Sequence, residues 1–139
     1  MVTGLFFGKQ QVRVRRCAMR ILVVDDEPVV AETLGIILSQ AGYEVDTFTD
    51  PERALDSLEE KPAGLVLTDM RMPKMNGIEL ANRISDRWPA CHVVILSGTR
   101  HPDFLGRPAF DWSPYEVLHK PFNPNDLLFV IARIQRAAA

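Results

Sequence analysis

The sequence predicts an α/β domain built on a parallel sheet, and three observations carry that prediction. Short continuous apolar runs, Ile21-Leu22-Val23-Val24, Leu65-Val66-Leu67 and Val93-Val94-Ile95-Leu96, read as strands buried on both faces. Stretches with apolar residues at helical spacing lie between them. Each run closes on polar side chains, as happens where the carboxyl edge of such a sheet meets solvent and ligands. Strands that alternate with helices in this way place helices on both faces of the sheet.

The first strand, Ile21 to Val24, ends on Asp25-Asp26-Glu27. Pro28 suits the first turn of a helix. Val30, Leu34, Ile37, Leu38 and Ala41 then recur at helical spacing as its expected inner side, until Gly42 closes it as a C′ residue. Val45 to Phe48 gives a short second strand. Asp50-Pro51 opens a second helix with Ala54, Leu55 and Leu58 inward, stopping before Pro62. Gly64 to Asp69 is the third strand, and the turn formers Pro73 and Asn76-Gly77 follow it. Ile78, Leu80, Ala81 and Ile84 mark a third helix that ends near Trp88-Pro89. Val93 to Ser97 is the fourth strand and Glu116 to Lys120 a weaker fifth. Asn123-Pro124 caps and opens a last helix, with Asp126 at its N3 position and Leu127, Leu128, Ile131 and Ile134 inward. Between the fourth and fifth strands, residues 99–115 hold Pro102, Pro108, Pro114 and Gly106. A proline inside a helix costs about 3 kcal/mol, so the helix expected there, the fourth of five, is short or missing.

A chain of 139 residues supports one domain with a single proper core. Its 47% hydrophobic and 24% charged residues are those of a globular protein. No apolar run approaches the roughly 20 residues that span a bilayer. Leu5-Phe6-Phe7 is too short for a secretory core and has its basic residues after it, so no membrane association is expected. Two cysteines, Cys17 and Cys91, make no disulfide framework and point to a reducing cytoplasm. Lys9, Arg13, Arg15 and Arg16 give residues 1–18 a charge of +4, leaving twelve basic against eighteen acidic residues beyond, a net of −6. A body at −6 is a poor surface for nucleic acid, and four leader cations are few. The expected organisation is a basic, disordered extension over 1–18 followed by one domain over 19–139. Met19-Arg20-Ile21-Leu22 also reads as a natural beginning, so the leader fits an upstream start choice.

Four strand ends carry polar groups: Asp25 with Asp26, Asp69, Ser97 and Lys120. In a parallel sheet they emerge at one edge. Carboxylates packed there repel by roughly 4 kcal/mol per pair at 4 Å and an effective dielectric of 20. Oxygen-only ligands without His or Cys suit a hard cation, and two or three carboxylates with room for water suit Mg²⁺. A cation, the ammonium of Lys120 and the hydroxyl of Ser97 around one carboxylate make a trap for phosphoryl oxygens. Asp69 is then the natural nucleophile, since a carboxylate can form an aspartyl phosphate. His92, His101 and His119 share no metal spacing, Cys91 reads as a small buried apolar residue, and Met70, Met72 and Met75 read as loop packing.

The pattern Leu22-Val23-Val24-Asp25-Asp26-Glu27, Asp69-Met70-Arg71-Met72-Pro73-Lys74-Met75-Asn76-Gly77, Leu96-Ser97-Gly98 and Lys120-Pro121-Phe122 resembles the receiver domain of bacterial two-component response regulators, over about residues 19–137. The resemblance implies a flavodoxin-like doubly wound five-stranded parallel sheet in the order 2-1-3-4-5. It implies that Asp69 is the phosphoacceptor. Asp25, Asp26, Asp69 and the backbone carbonyl of Arg71 would hold Mg²⁺, Ser97 would bond a phosphoryl oxygen, and Lys120 would pair with the phosphoryl group. The Lys120-Pro121 bond would be cis. Arg71 and Thr99 fall where the family tunes dephosphorylation. The implied donor is a histidine kinase or histidine phosphotransfer protein, and the output is contact with a downstream protein or a homodimer.

Two departures bear on output. The family usually carries an aromatic ring three residues before the Lys, where this chain has Val117; Tyr115, two residues earlier, falls on the same side of an extended segment. The second is the proline-broken 99–115 segment, part of the usual output face. Phosphorylation is expected to be retained with a changed readout over 99–121, such as ordering of 99–115. No effector domain follows Ala139, so DNA binding in cis is not expected; a receiver cut from a longer regulator or hybrid kinase remains an alternative. A Mg²⁺-dependent phosphatase of the haloacid dehalogenase kind would want a second Asp where Arg71 stands. A degenerate receiver would lack the acceptor or the Lys, and a dinucleotide-binding domain would need glycines after the first strand.

Overall fold

The structure, a computed structural model, describes residues 19–98 and 115–138. The expectations for residues 1–18, for Thr99 and for the proline-bearing segment through Pro114 fall outside the described residues.

A strand forms at each of the five expected places: β1 (Arg20–Val24), β2 (Glu44–Phe48), β3 (Leu65–Asp69), β4 (His92–Ser97) and β5 (Glu116–His119). The described helices are α1 (Pro28–Gln40), α2 (Pro51–Glu60), α3 (Gly77–Arg87) and α4 (Pro124–Ala138). The sheet is parallel throughout, in the order β2-β1-β3-β4-β5. The order expected from the resemblance is the order observed.

Side-chain alternation along the strands sends apolar residues to two separate layers. Leu22, Val24, Val66, Val93 and Ile95 meet Ala54 and Leu58 of α2 and Leu80, Ala81 and Ile84 of α3. Ile21, Val23, Leu65, Leu67, Val94 and Leu96 meet Ala31, Leu34 and Leu38 of α1 and Leu127, Ile131 and Ile134 of α4. Helices therefore cover both faces. The inner stripe of α1 is Ala31-Leu34-Leu38, flanked by half-buried Val30 and Ile37; Ala41, expected inward, is exposed because it is already the C-cap.

The helix ends are closed by the residues that their local chemistry favours. Pro28 starts α1, and Gly42 adopts φ +103° just past its end, a left-handed conformation costly for any side chain. Asp50 accepts from the Glu52 amide at 3.0 Å at the start of α2. Asn76 and Glu79 form a reciprocal capping box at α3. Asn123 accepts from the Asp126 amide at 2.9 Å at α4. At the amino edge of the sheet, the buried guanidinium of Arg20 donates to Asp46 (2.9 Å), Ser57 (2.8 Å) and the Lys61 carbonyl (2.6 Å), tying β1 to the end of α2 where the helix carbonyls are short of donors. No helix among the described residues is long and apolar enough to cross a membrane.

Candidate functional site

Register alone brings the acidic strand ends together. Val24 of β1 pairs with Thr68 of β3, and Asp69 pairs with Leu96 of β4. Asp25 and Asp69 thus leave neighbouring strands side by side. Carboxylate oxygens of Asp25, Asp26 and Asp69 lie within 4.8 Å of one another, and this is the one such group of potential metal ligands among the described residues. Asp25 is buried and Asp26 exposed, and the Asp69 side chain is 13% exposed.

Each carboxylate has a distinct support. The Lys120 ammonium donates to Asp69 Oδ1 at 2.8 Å, and the Arg71 amide donates to Asp69 Oδ2 at 3.2 Å. The Glu27 amide donates to Asp25 Oδ1 at 2.9 Å. Burial, foremost, pushes the Asp25 carboxyl above its ordinary range; the Glu27 amide opposes the rise, Asp69 adds to it, Lys120 opposes it and Asp26 adds to it. The Lys120 amide donates to the Ser97 carbonyl at 2.8 Å, which holds Lys120 beside the end of β4. The Lys120-Pro121 bond is cis, as the resemblance implied. Ser97 is fully buried at the end of β4.

The loop after Asp69 is held as tightly as the strand. The Met70 amide donates to Leu96 O at 2.9 Å, and the Gly77 amide donates to Met70 O at 2.8 Å. Met70, Met72 and Met75 are buried in the layer under α2 and α3, which is packing and nothing more. Beside the cluster a pocket of about 410 Å³ is lined by Asp26, Met70, Arg71, Met72, Pro73 and Asn76.

The structure therefore gathers Asp25, Asp26, Asp69, Ser97 and Lys120 at one edge, with Arg71 next to Asp69. Val117 and Tyr115 both pack against the apolar layer of α2 and α3, so the expected sharing of one side holds. The Tyr115 phenol donates to Asn82 Oδ1 of α3 at 2.6 Å. Sequence reasoning passed over Asn82, Asn76 with Glu79, and the close approach of Gly77. Only the capping box had a readable sign, the Asn-x-x-Glu spacing.

One ammonium faces three carboxylates, and every donor in the set is oxygen, so the residues present fit a hard divalent cation such as Mg²⁺. Sheet order, with helices on both faces, defines a flavodoxin-like doubly wound protein, and the acidic cluster stands at its carboxyl edge. The model of the response regulator receiver domain matches residues 21–132. The chain belongs to this receiver-domain family of two-component signal transduction.

Among its relatives is the response regulator receiver protein CpdR of Brucella abortus, 36% identical over 124 residues, covering 86% of this chain and 98% of that protein. The transcriptional regulatory protein FixJ of Bradyrhizobium diazoefficiens is 33% identical over 119 residues, covering 85% of this chain and 57% of that one. The chain thus spans little more than half of FixJ. The crystal structure of a CheY-like receiver domain protein from Methanospirillum hungatei superposes with a TM-score of 0.76 at 27% identity, covering 87% of this chain and 96% of that one. Receiver domains accept a phosphoryl group from histidine kinases and bind Mg²⁺ at an acidic cluster of this kind.

Proposed function

We propose that this chain takes a phosphoryl group onto Asp69 from a histidine kinase or histidine phosphotransfer protein and signals by contacts that depend on that modification. The observation that carries the reading is the Asp69 carboxylate, held at one oxygen by the Lys120 ammonium and at the other by the Arg71 amide, within reach of two more carboxylates. One Asp69 oxygen attacks phosphorus in line, the phosphorus–nitrogen bond of the donor phosphohistidine breaks, and the imidazole nitrogen leaves with the bonding pair. Lys120 keeps two N–H donors beyond its Asp69 bond and turns them to phosphoryl oxygens as charge builds there. The Ser97 hydroxyl bonds another. Asp25, Asp26, Asp69 and the Arg71 carbonyl would hold Mg²⁺, which supplies charge neutralisation to the phosphoryl group. Arg71 and Thr99 would tune loss of the phosphoryl group to water. Readout through β5 and its neighbours differs from the family's, because Val117 has no ring to move.

The test is incubation with Mg²⁺ and acetyl phosphate, read by intact mass, for the wild type and Asp69→Asn. One phosphoryl adduct on the wild type and none on Asp69→Asn is expected. Equal adducts on both would remove Asp69 as the acceptor.

A further inference from the structure

β5 is a four-residue edge strand with one neighbour, β4, and it is only half-buried. So short an edge is a weakly held element, yet Lys120 follows directly on it. At its carboxyl end two tethers hold it, Lys120 N to Ser97 O and Lys120 Nζ to Asp69, each 2.8 Å. At its amino end a third tether joins the Tyr115 phenol to Asn82 on the exposed side of α3 at 2.6 Å, across 33 residues of sequence.

α3 is itself fixed to the site. Its first residue, Gly77, donates to Met70 O one residue past Asp69, and the Asn76–Glu79 box closes the loop between. The links make a closed circuit: Asp69, loop, α3, Asn82, Tyr115, β5, Lys120 and back to Asp69. A slide of Lys120 along the strand axis must stretch one of them.

We propose that Asn82 and Tyr115 are positioning residues for Lys120: their hydrogen bond pins β5 in the register that presents the ammonium to Asp69 and to incoming phosphoryl oxygens. This rests on the phosphoacceptor reading of Asp69. Because coupling between equilibria is reciprocal, a phosphoryl group held by Lys120 also strengthens the α3–β5 contact.

Tyr115→Phe removes the phenol and keeps the ring in the apolar layer. Asn82→Ala removes the acceptor, and Asn82→Asp keeps an acceptor oxygen in place. With acetyl phosphate and Mg²⁺ on the full chain, Tyr115→Phe and Asn82→Ala are each expected to form adduct about three- to tenfold more slowly, the worth of one hydrogen bond. The double variant is expected to be no slower than the slower single one, and Asn82→Asp to match the wild type. A merely structural part for Asn82 predicts the reverse ranking, since alanine favours a helix more than aspartate does. Wild-type rates in all four variants, additive slowing in the double one, or slowing that only follows a lost folded fraction in urea would each overturn the inference while leaving Asp69 as acceptor. Absence of any adduct on wild-type Asp69 would remove both.

Discussion

Gly77 sits where a methyl group has no room. A Cβ there would lie 2.7 Å from the Asp69 carbonyl oxygen and 3.1 Å from Met70 Cα, both backbone atoms that cannot swing aside. Gly77→Ala must push either the strand end or the helix start, at a cost of about 1–3 kcal/mol. We expect a matching fall in the urea unfolding midpoint and slower adduct formation, because the displaced atoms belong to the acceptor itself. Asp25 carries the opposite lesson, a side chain whose charge works against the fold. Its carboxyl is raised above the unfolded value of 3.8, foremost by burial. A raised acid is stabilising below its unfolded value and loses that contribution as pH rises through the folded one. In chelator, Asp25→Asn should therefore be more stable than wild type near pH 7, with the advantage shrinking toward about pH 3. Urea midpoints at both pH values check this; an unchanged difference would mean that the Asp25 charge is not the cause.

At the scale of elements, helix caps separate stability from function. Asp50 caps α2 and Asn76 caps α3 by the same kind of side-chain bond, at 3.0 Å and 2.8 Å. Each change to alanine should cost about 1 kcal/mol. Asn76 also ends the loop that starts at Asp69, whereas Asp50 meets that loop only through a solvent-screened ion pair to Lys74 at 3.6 Å, so Asn76→Ala should slow phosphoryl transfer more than Asp50→Ala. Equal rates in the two variants would show that the loop holds its shape without the cap. The same elements show what a sequence can carry. Strands buried on both faces must be apolar at every position, so Ile21 to Val24 and Val93 to Leu96 are legible as they stand. Their polar ends are legible too, and with them Asp25, Asp26, Asp69, Ser97 and Lys120. On α1 the inward Ala31 is not legible, because so small a side chain says little of which way it faces, and helical spacing carried past the end at Gln40 points Ala41 inward where it is exposed. Strand order came from the family resemblance, since nothing in an apolar run states its neighbour. The Tyr115–Asn82 bond was out of reach because it depends on how β5 lies against α3, which only the assembled sheet fixes.

Across the whole molecule, stability and activity occupy different ground. Two apolar layers sandwich the sheet, while its carboxyl edge concentrates charge in a body already at −6 over residues 19–139. The parallel register that builds the layers also forces Asp25 and Asp69 together, so the fold cannot form without assembling the repulsive cluster. Lys120 offsets one charge of three. A divalent ion that binds the assembled cluster and not the unfolded chain must then stabilise the entire domain, by about 2.7 kcal/mol at a hundredfold excess over its dissociation constant. Thermal unfolding should therefore shift upward with MgCl₂, well beyond the shift from a monovalent salt at equal ionic strength, which screens but does not bind. Asp26→Asn is the sharper probe. Asp26 is exposed and its replacement removes no core contact while relieving repulsion, so this variant should fold at least as well as wild type in chelator and lose most of the Mg²⁺-dependent rise. A full rise in Asp26→Asn, or the same rise from monovalent salt, would mean that Mg²⁺ acts through the general surface and that the cluster at the sheet edge is not its site.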